Sequence, residues 1–422
     1  MGEKRLQHSI EHDSLMLQVL EKENLIQALK QVKRNKGAAG VDGMTVAALP
    51  EYLKHHWLEI KAQLLAGTYQ PQPALRVEIP KPDGRKRKLG IPTVVDRFIQ
   101  QAIAQVLRWI WEPHFHPNSY GFRLMRSAQQ AVLHAQSEII KGRKWVVDLD
   151  LDAFFDRVNH DRLMHKLKLK IHDKPLLRLI NRYLKSGVEI DGHYEKTAEG
   201  VPQGSPLSPL LSNIVLDELD WELERRGHTF VRYADDCQIY VRSQRAGERV
   251  KQNITHFTEN TLGLKVNVAK SAVDRPWKRT FLGFTFSASR GHKLKVSTKA
   301  LKNVKHTVRV LCRRTRGHSI YQIIADLRKS LLGWKAYFGI AQVKSPQRDL
   351  DKWIRRKLRC YLLKQWGRSG YRKLRALGVG RRLAWNTAKS AHGPWRLSRS
   401  PALNYSLTRK YFIDLGLVEL SA

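Results

Sequence analysis

Cysteine is nearly absent: three residues in 422, at positions 237, 312 and 360. Thiols so few and so far apart form no disulfide framework and no paired-cysteine zinc module, which fits a reducing compartment. Acidic residues are scarce beside basic ones, 38 Asp and Glu against 76 Lys and Arg. A net charge of +38 calls for a polyanionic partner, nucleic acid before membrane surface. No apolar run is long enough to span a bilayer. There is no internal repeat and no low-complexity tract. The chain is charged from Glu3 onward, so no signal-peptide apolar core is expected. Met1-Gly2 opens a myristoylation pattern, but Leu6 stands where Ser or Thr is required. What is present is a globular composition, 42% hydrophobic, in a chain long enough for roughly two or three domains.

The positive charge is concentrated. Residues 291–400 hold 29 Lys and Arg and three acids, Asp326, Asp349 and Asp351. Aromatics are interleaved there: Trp334, Tyr337, Phe338, Trp353, Tyr361, Trp366, Tyr371, Trp385 and Trp395. Phosphate-binding cations mixed with stacking surfaces suit a nucleic-acid channel. At helical spacing, more than half of those aromatics are expected to be core.

One short stretch organises the rest. Phe230-Val231-Arg232-Tyr233 and Cys237-Gln238-Ile239-Tyr240-Val241 flank Ala234-Asp235-Asp236. Two β-prone runs around a short acidic turn read as a hairpin. Adjacent carboxylates repel unless a cation lies between them, and Mg²⁺ takes such oxygen ligands. A lone Asp-Asp is more often a solvated turn. A second acidic strand, Trp145-Val146-Val147-Asp148-Leu149-Asp150, shifts the balance. Period two sets Val146, Asp148 and Asp150 on one face, with Asp150 at the open strand end.

Other segments support this centre. Residues 75–79 alternate as a strand, Pro82-Asp83-Gly84 is a turn, and Arg85 to Leu89 leads back, making a basic hairpin. Its cations suit a triphosphate, or are simply solvated. Asp96 is expected to cap a helix over about 97–111, and Ser127 another that ends at Gly142. The punctuated loop Gly200 to Pro209 precedes a helix over about 207–226. A helix over about 246–262 and strands in 264–271 and 281–286 follow. The order makes an α+β sheet with helices on one face. From 297 the pattern is all-helical, with Ser297-Thr298, Ser319 and Ser345-Pro346 opening three helices of a bundle. The tail after about 376 is mixed.

In this order the segments resemble a bacterial group II intron-encoded reverse transcriptase/maturase, from about residue 20 to the C-terminus. Asn35 to Val46, Ile79 to Gly84 with Leu89 to Thr93, and Asn118 to Arg123 resemble its entry and fingers blocks. Asp148 to His160, Pro202 to Pro206, Tyr233 to Asp236, Asn267 with Lys270, and Phe281 to Gly283 resemble its palm. Leu332 to Phe338 and Trp353 to Arg356 resemble its thumb or maturase domain. The resemblance implies a right-hand polymerase fold. Its parts would be an N-terminal extension and fingers (1–115), a palm (116–292), a helical thumb or maturase domain (293–375) and a basic tail (376–422). It implies two Mg²⁺ ions held by Asp150, Asp235 and Asp236. Asp148 competes for the strand's ligand, and Asp150 is preferred because Phe155 follows five residues later, as in the family motif. Phe155 then crowds the sugar 2′ position. Lys81 and Arg87 match cations on the triphosphate, and Gln203 a residue beside the incoming nucleotide. Lys270, Arg313, Arg314, Arg355, Arg356 and Lys357 are expected on nucleic acid. The implied partners are intron RNA, an RNA template with DNA primer or target DNA, and dNTPs, in the bacterial cytoplasm at the nucleoid or in a ribonucleoprotein.

Two departures stand out. Leu124-Met125 occupy positions where the family usually has Pro-Gly. No Cys-paired, His-rich endonuclease module follows the thumb, so this chain alone is not expected to cleave target DNA. Two rivals remain: an RNA-binding splicing cofactor with an idle polymerase site, and a reverse transcriptase of a retron, defence or diversity-generating system. The intact acidic residues weigh against the first, and the maturase-like helices over 319–366 against the second.

Overall fold

The structure, a computed structural model, describes residues 14–421 except 81–83 and 85. Its contacts divide the chain into two units between Asp274 and Arg275. In the first unit, β-branched and aromatic residues build two four-stranded sheets. One has the order β2-β1-β4-β5, from Ala74–Pro80 (β1), Lys86–Ile91 (β2), Val188–Ile190 (β4) and His193–Glu195 (β5). The basic hairpin is real: Ile79 lies opposite Arg87 and Pro80 opposite Lys86. Its base is tied in parallel to β4 by Ala74↔Val188, a pairing across more than a hundred residues.

The second sheet has the order β6-β7-β3-β8. Here β3 is Trp145–Leu149, β6 Thr229–Tyr233, β7 Asp236–Val241 and β8 Ala272–Asp274. Strand β3 lies centrally, with Asp148 opposite Gln238 on one side and Ala272 on the other. The hairpin β6–β7 closes on the pair Tyr233↔Asp236, leaving Ala234-Asp235 as its turn. The expected strand over 264–271 is instead one bridge, Val266 to Leu151, followed by a turn. In that turn the N–H groups of Lys270 and Ser271 bond to the Asn267 carbonyl. A turn bonded to its own backbone has no ladder to offer.

Helices cover these sheets. Ser127 caps Ala128–Ile140 through a reciprocal capping box with Gln130. The helix Val94–Trp111 begins earlier than expected, and its cap is Thr93. Asp96 has another task. Buried in the first turn, it accepts from Thr93 Oγ1 (2.7 Å), Tyr69 OH (2.8 Å), Tyr183 OH (3.2 Å) and the Gln72 N–H (3.2 Å). A buried carboxylate must be bonded throughout, and four donors from three segments serve that need. The helix Ser208–Arg225 follows the Pro-Gln-Gly loop and buries Leu210, Leu211, Ile214, Val215 and Leu219.

The second unit is built of helices. Ser297 and Ser319 cap Thr298–Leu311 and Ile320–Phe338 through the N–H groups of Ala300 and Gln322. The third long helix, Ser345–Trp366, buries Leu350, Ile354, Leu358 and Tyr361 along one stripe. The short strands Phe284–Phe286 and Leu294–Val296 pair with each other, so residues 275–292 cluster with this unit. The segment after 376 forms helices at 381–388, 394–397, 401–406 and 409–414. Ala384, Ala402, Leu403, Leu407, Phe412 and Leu420 lie in the same core as Leu350. Of the nine interleaved aromatics only Tyr361 is fully buried. Trp334, Trp353, Trp366 and Tyr371 pack partly against the core, and Trp385 and Trp395 are exposed. Among the described residues no helix is long and apolar enough to cross a membrane.

Candidate active site

Strand ends bring the sequence-predicted carboxylates together. Asp150 lies one residue beyond β3, Asp235 in the β6–β7 turn, and Asp236 at the start of β7. Asp150 is held by the 267–271 turn. Its N–H donates to Ser271 Oγ (3.0 Å), and its carbonyl accepts from the Asn267 N–H (2.8 Å). Lys270 Nζ lies 3.4 Å from Asp150 Oδ2. Asp148, one pleat back, receives the Gln238 amide at 3.4 Å, and Gln238 receives the Tyr240 hydroxyl at 2.7 Å.

The four groups act on one another. Desolvation by surrounding protein raises Asp235, and the charge of Asp150 adds to it, while Arg87 and Arg232 pull the other way. Asp236 is pushed up to about 7. Desolvation by neighbouring protein comes first, although the residue as a whole is exposed, and then the charges of Asp235, Asp148 and Asp150. Such crowding of like charge at a strand edge marks functional sites more often than structural ones. Among the described residues no three such side chains are gathered closely enough to hold an ion as they stand. The donor set is nonetheless all oxygen and anionic, which fits a hard divalent cation.

Two further layers adjoin these carboxylates in the chain. Phe155 lies in the turn Phe154–Asp156, after Ala153 at φ +49. Its carbonyl accepts from the Val201 N–H (2.6 Å), and His160 Nε2 bonds to the Gly200 carbonyl (2.7 Å). The Gln203 carbonyl accepts from the Gly90 N–H of β2 (2.9 Å). Gly204 adopts φ +116, a region that L side chains rarely enter. The Pro-Gln-Gly loop is therefore bonded on one side to the segment of Phe155 and on the other to the basic hairpin. Arg87 is exposed on β2, and its charge reaches Asp235. Lys81 lies outside the described residues.

The remaining expected contacts differ in kind. Arg313 and Arg314 are exposed. Arg355 is engaged internally, 3.2 Å from Glu419. Arg356 stacks over Trp395 at 3.7 Å and donates to Ser398 Oγ (3.2 Å). Lys357 lies over Trp395 (4.7 Å) and Trp353 (5.6 Å). Met125, in the Leu124-Met125 departure, is almost fully exposed at φ +54. Sequence reasoning missed Ser271 and the buried group of Arg232, Asp220 and Asn213 behind the acidic turn. Their only local signal is a charged residue in the middle of a β-prone run.

Comparison with known proteins gives two family matches. Residues 79–286 match the reverse transcriptase (RNA-dependent DNA polymerase) family, and residues 301–378 match the group II intron, maturase-specific domain. Protein YkfC of Escherichia coli (strain K12) is 33% identical over 306 residues, 63% of this chain and 80% of YkfC. The group II intron-encoded protein LtrA of Lactococcus lactis subsp. cremoris is 39% identical over 194 residues. That match takes in 46% of this chain but spans only 32% of LtrA. Among solved structures, a chain of a partial Cas6-RT-Cas1--Cas2 complex has TM-score 0.37 and 26% identity, over 57% of this chain and 42% of that one.

Proposed function

The chain belongs to the family of group II intron-encoded reverse transcriptases and maturases, and from that premise we propose how its residues carry out RNA-directed DNA synthesis. Reverse transcriptases of this kind use divalent metal ions, and maturase domains bind RNA. In this reading Asp150, Asp235 and Asp236 are the ligands. Asp148 is less suited, because it lies within the ladder opposite Gln238, whereas Asp150 follows the last residue of β3. Bound Mg²⁺, two ions here, supplies activation of the primer 3′-hydroxyl and neutralisation of charge on the triphosphate. Arg87, with Lys81, orients the triphosphate by charge-assisted hydrogen bonds, chiefly a positioning effect. Phe155 lies under the sugar and disfavours a 2′-hydroxyl. Gln203 flanks the nucleotide from a loop bonded to both neighbours.

The substrates are dNTPs and an RNA template with a DNA primer, or nicked target DNA. Residues 1–115 serve as N-terminal extension and fingers, and 116–292 as palm. Residues 293–375 and the segment that follows grip intron RNA, promote its splicing and serve mobility. Arg313, Arg314, Arg356 and Lys357 carry that contact, and the work is done in the bacterial cytoplasm beside the nucleoid.

The observation that carries the reading is the placement of Asp150, Asp235 and Asp236 at neighbouring strand ends, where desolvation and then the charges of Asp235, Asp148 and Asp150 raise Asp236. Repulsion of that kind is relieved by a cation. The test is DNA primer extension on an RNA template with dNTPs and Mg²⁺, for the wild type and Asp235→Asn. Extension is expected in the wild type and to fall more than about 100-fold in the variant. Extension that survives the substitution means a different metal site. No extension by the wild type, with tight intron-RNA binding, means a splicing cofactor instead.

A further inference from the structure

Among the described residues the largest fully buried side chain is Arg232, on β6. A guanidinium shut away from water is costly unless its donors are all engaged. Nε donates to Asp220 Oδ1 at 2.7 Å and Nη2 to Asp220 Oδ2 at 2.5 Å. Nη1 donates to Asn213 Oδ1 at 3.0 Å and to the Ala234 carbonyl at 2.8 Å. Asp220 and Asn213 are themselves buried and come from one helix, Ser208–Arg225. Seven residues apart, they share one helical face. The backbone of Arg232 is bonded to Asn118 and Tyr120. Its side chain is therefore what reaches forward into the turn.

That turn is strained. Ala234 has φ +57, where a β-carbon crowds the backbone. Residues so held persist only when their surroundings over-determine them, and such places cluster at functional sites. Ala234 is clamped from the other side by Gly121. A β-carbon there would lie 2.2 Å from the Ala234 nitrogen, so only glycine allows the approach. Asn213 links the two clamps, because its Nδ2 donates to the Gly121 carbonyl at 2.8 Å. Asp235 and Asp236 are the next two residues. A turn of any other shape would aim both carboxylates elsewhere. A buried ion pair of this kind is often replaceable by apolar side chains of similar volume.

We propose that Arg232, gripped by Asp220 and Asn213, is a positioning residue that holds the Ala234-Asp235 turn and so sets how well the acidic site takes its metal ions. The proposal rests on the metal-site reading above. Arg232→Lys keeps a charge beside Asp220 but loses the fork that reaches the Ala234 carbonyl. A double variant, Arg232→Met with Asp220→Leu, removes the pair without stranding a buried charge.

Direct binding of Mn²⁺ to the full chain without substrates, followed by calorimetry and expected to weaken about 10-fold in each variant, and primer extension as a function of Mg²⁺ concentration read the effect. Both variants are expected to fold and to bind template–primer as the wild type does. Each should need about 10-fold more Mg²⁺ for half-maximal rate and turn over about 10-fold more slowly at saturation, the range found for groups that orient metal ligands. An unchanged Mg²⁺ titration and turnover in either folded variant overturns the proposal. So does loss of the fold in both, which would assign the pair to stability alone. No extension by the wild type would instead sink the metal-site reading itself, so the two failures are distinguishable.

Discussion

The two units carry charge in opposite ways. Residues 1–274 hold 41 Lys and Arg against 33 Asp and Glu, while residues 275–422 hold 35 against 5. In the first unit Asp150, Asp235 and Asp236 lie at strand ends, next to a turn with Ala234 at positive φ and a buried ion pair of Arg232 with Asp220. In the second, four of the five acids have partners within the unit. Asp326 pairs with Arg316 and Asp349 with Lys352. Glu419 pairs with Arg355 and Arg409, and Asp351 accepts the N–H groups of Leu420 and Ser421. Chemistry needs a few charges in fixed geometry, so it draws on sheet ends. Binding a polyanion needs many charges with little geometry, and helix faces provide them.

The comparison breaks first at the core that carries the basic face. Phe412 is fully buried beside Leu403 and Leu417, in the segment that looked like a tail. Phe412→Ala is expected to destabilise the second unit by about 3–5 kcal/mol. Thermal unfolding should show a large downward shift, and intron-RNA affinity should fall with it. A melting curve within a degree or two of wild type would mean that the segment does not belong to that core. A sharper test uses salt. Replacing Arg356 and Lys357 with Gln should lower the slope of log affinity against log salt by about 1.5, on roughly 0.7–0.9 per lost phosphate contact. Arg225→Gln, which removes an exposed cation already paired with Glu222, should leave the slope unchanged. Equal slopes in both variants would erase the division of labour.

The smallest expected effect concerns pH. Asp236 ionises near 3.8 when unfolded and near 7 when folded. The folded protein therefore binds more protons between these values, and stability falls as pH rises from about 4 to about 7. Because Asp236 is partly open to solvent, the cost is screened to about 1 kcal/mol or less. Metal-free Asp236→Asn should thus be slightly more stable than wild type at pH 8 and equal at pH 4. Added divalent cation should remove the difference. Chemical denaturation at the two pH values measures it, and a wild type more stable than the variant at pH 8 without metal would contradict the charge crowding.

Much of the fold was legible because it is local. Ser127, Ser297 and Ser319 cap helices where their own sequence says they should. The hairpin over 229–241 follows from its alternation and acidic turn. Other readings failed where a distant partner outbid the local signal. Asp96 reads as a cap, yet Tyr69, Gln72 and Tyr183 make it a buried acceptor. Residues 264–271 read as a strand, yet bonds between Asp150 and the segment, at Asn267 and Ser271, hold it as a turn. The helices after 381 are too short and polar to announce themselves, and only the shared core with Leu350 reveals their place.

By itself the sequence determined the charge imbalance, the order of strands and helices, and the candidate carboxylates, all of which follow from composition and near-neighbour periodicity. Only the tertiary structure shows how differently Asp148 and Asp150 are placed. Period two puts both on one face, and the register Asp148↔Gln238 is what leaves Asp150 beyond the sheet. It also decided that Arg232, an unpromising charge inside a strand, reaches the turn between the helix face of Asp220 and the backbone of Ala234. The physical reason is the same in each case: a hydrogen bond is fixed by where its partner lies in space, and for these residues the partner is far away in the chain.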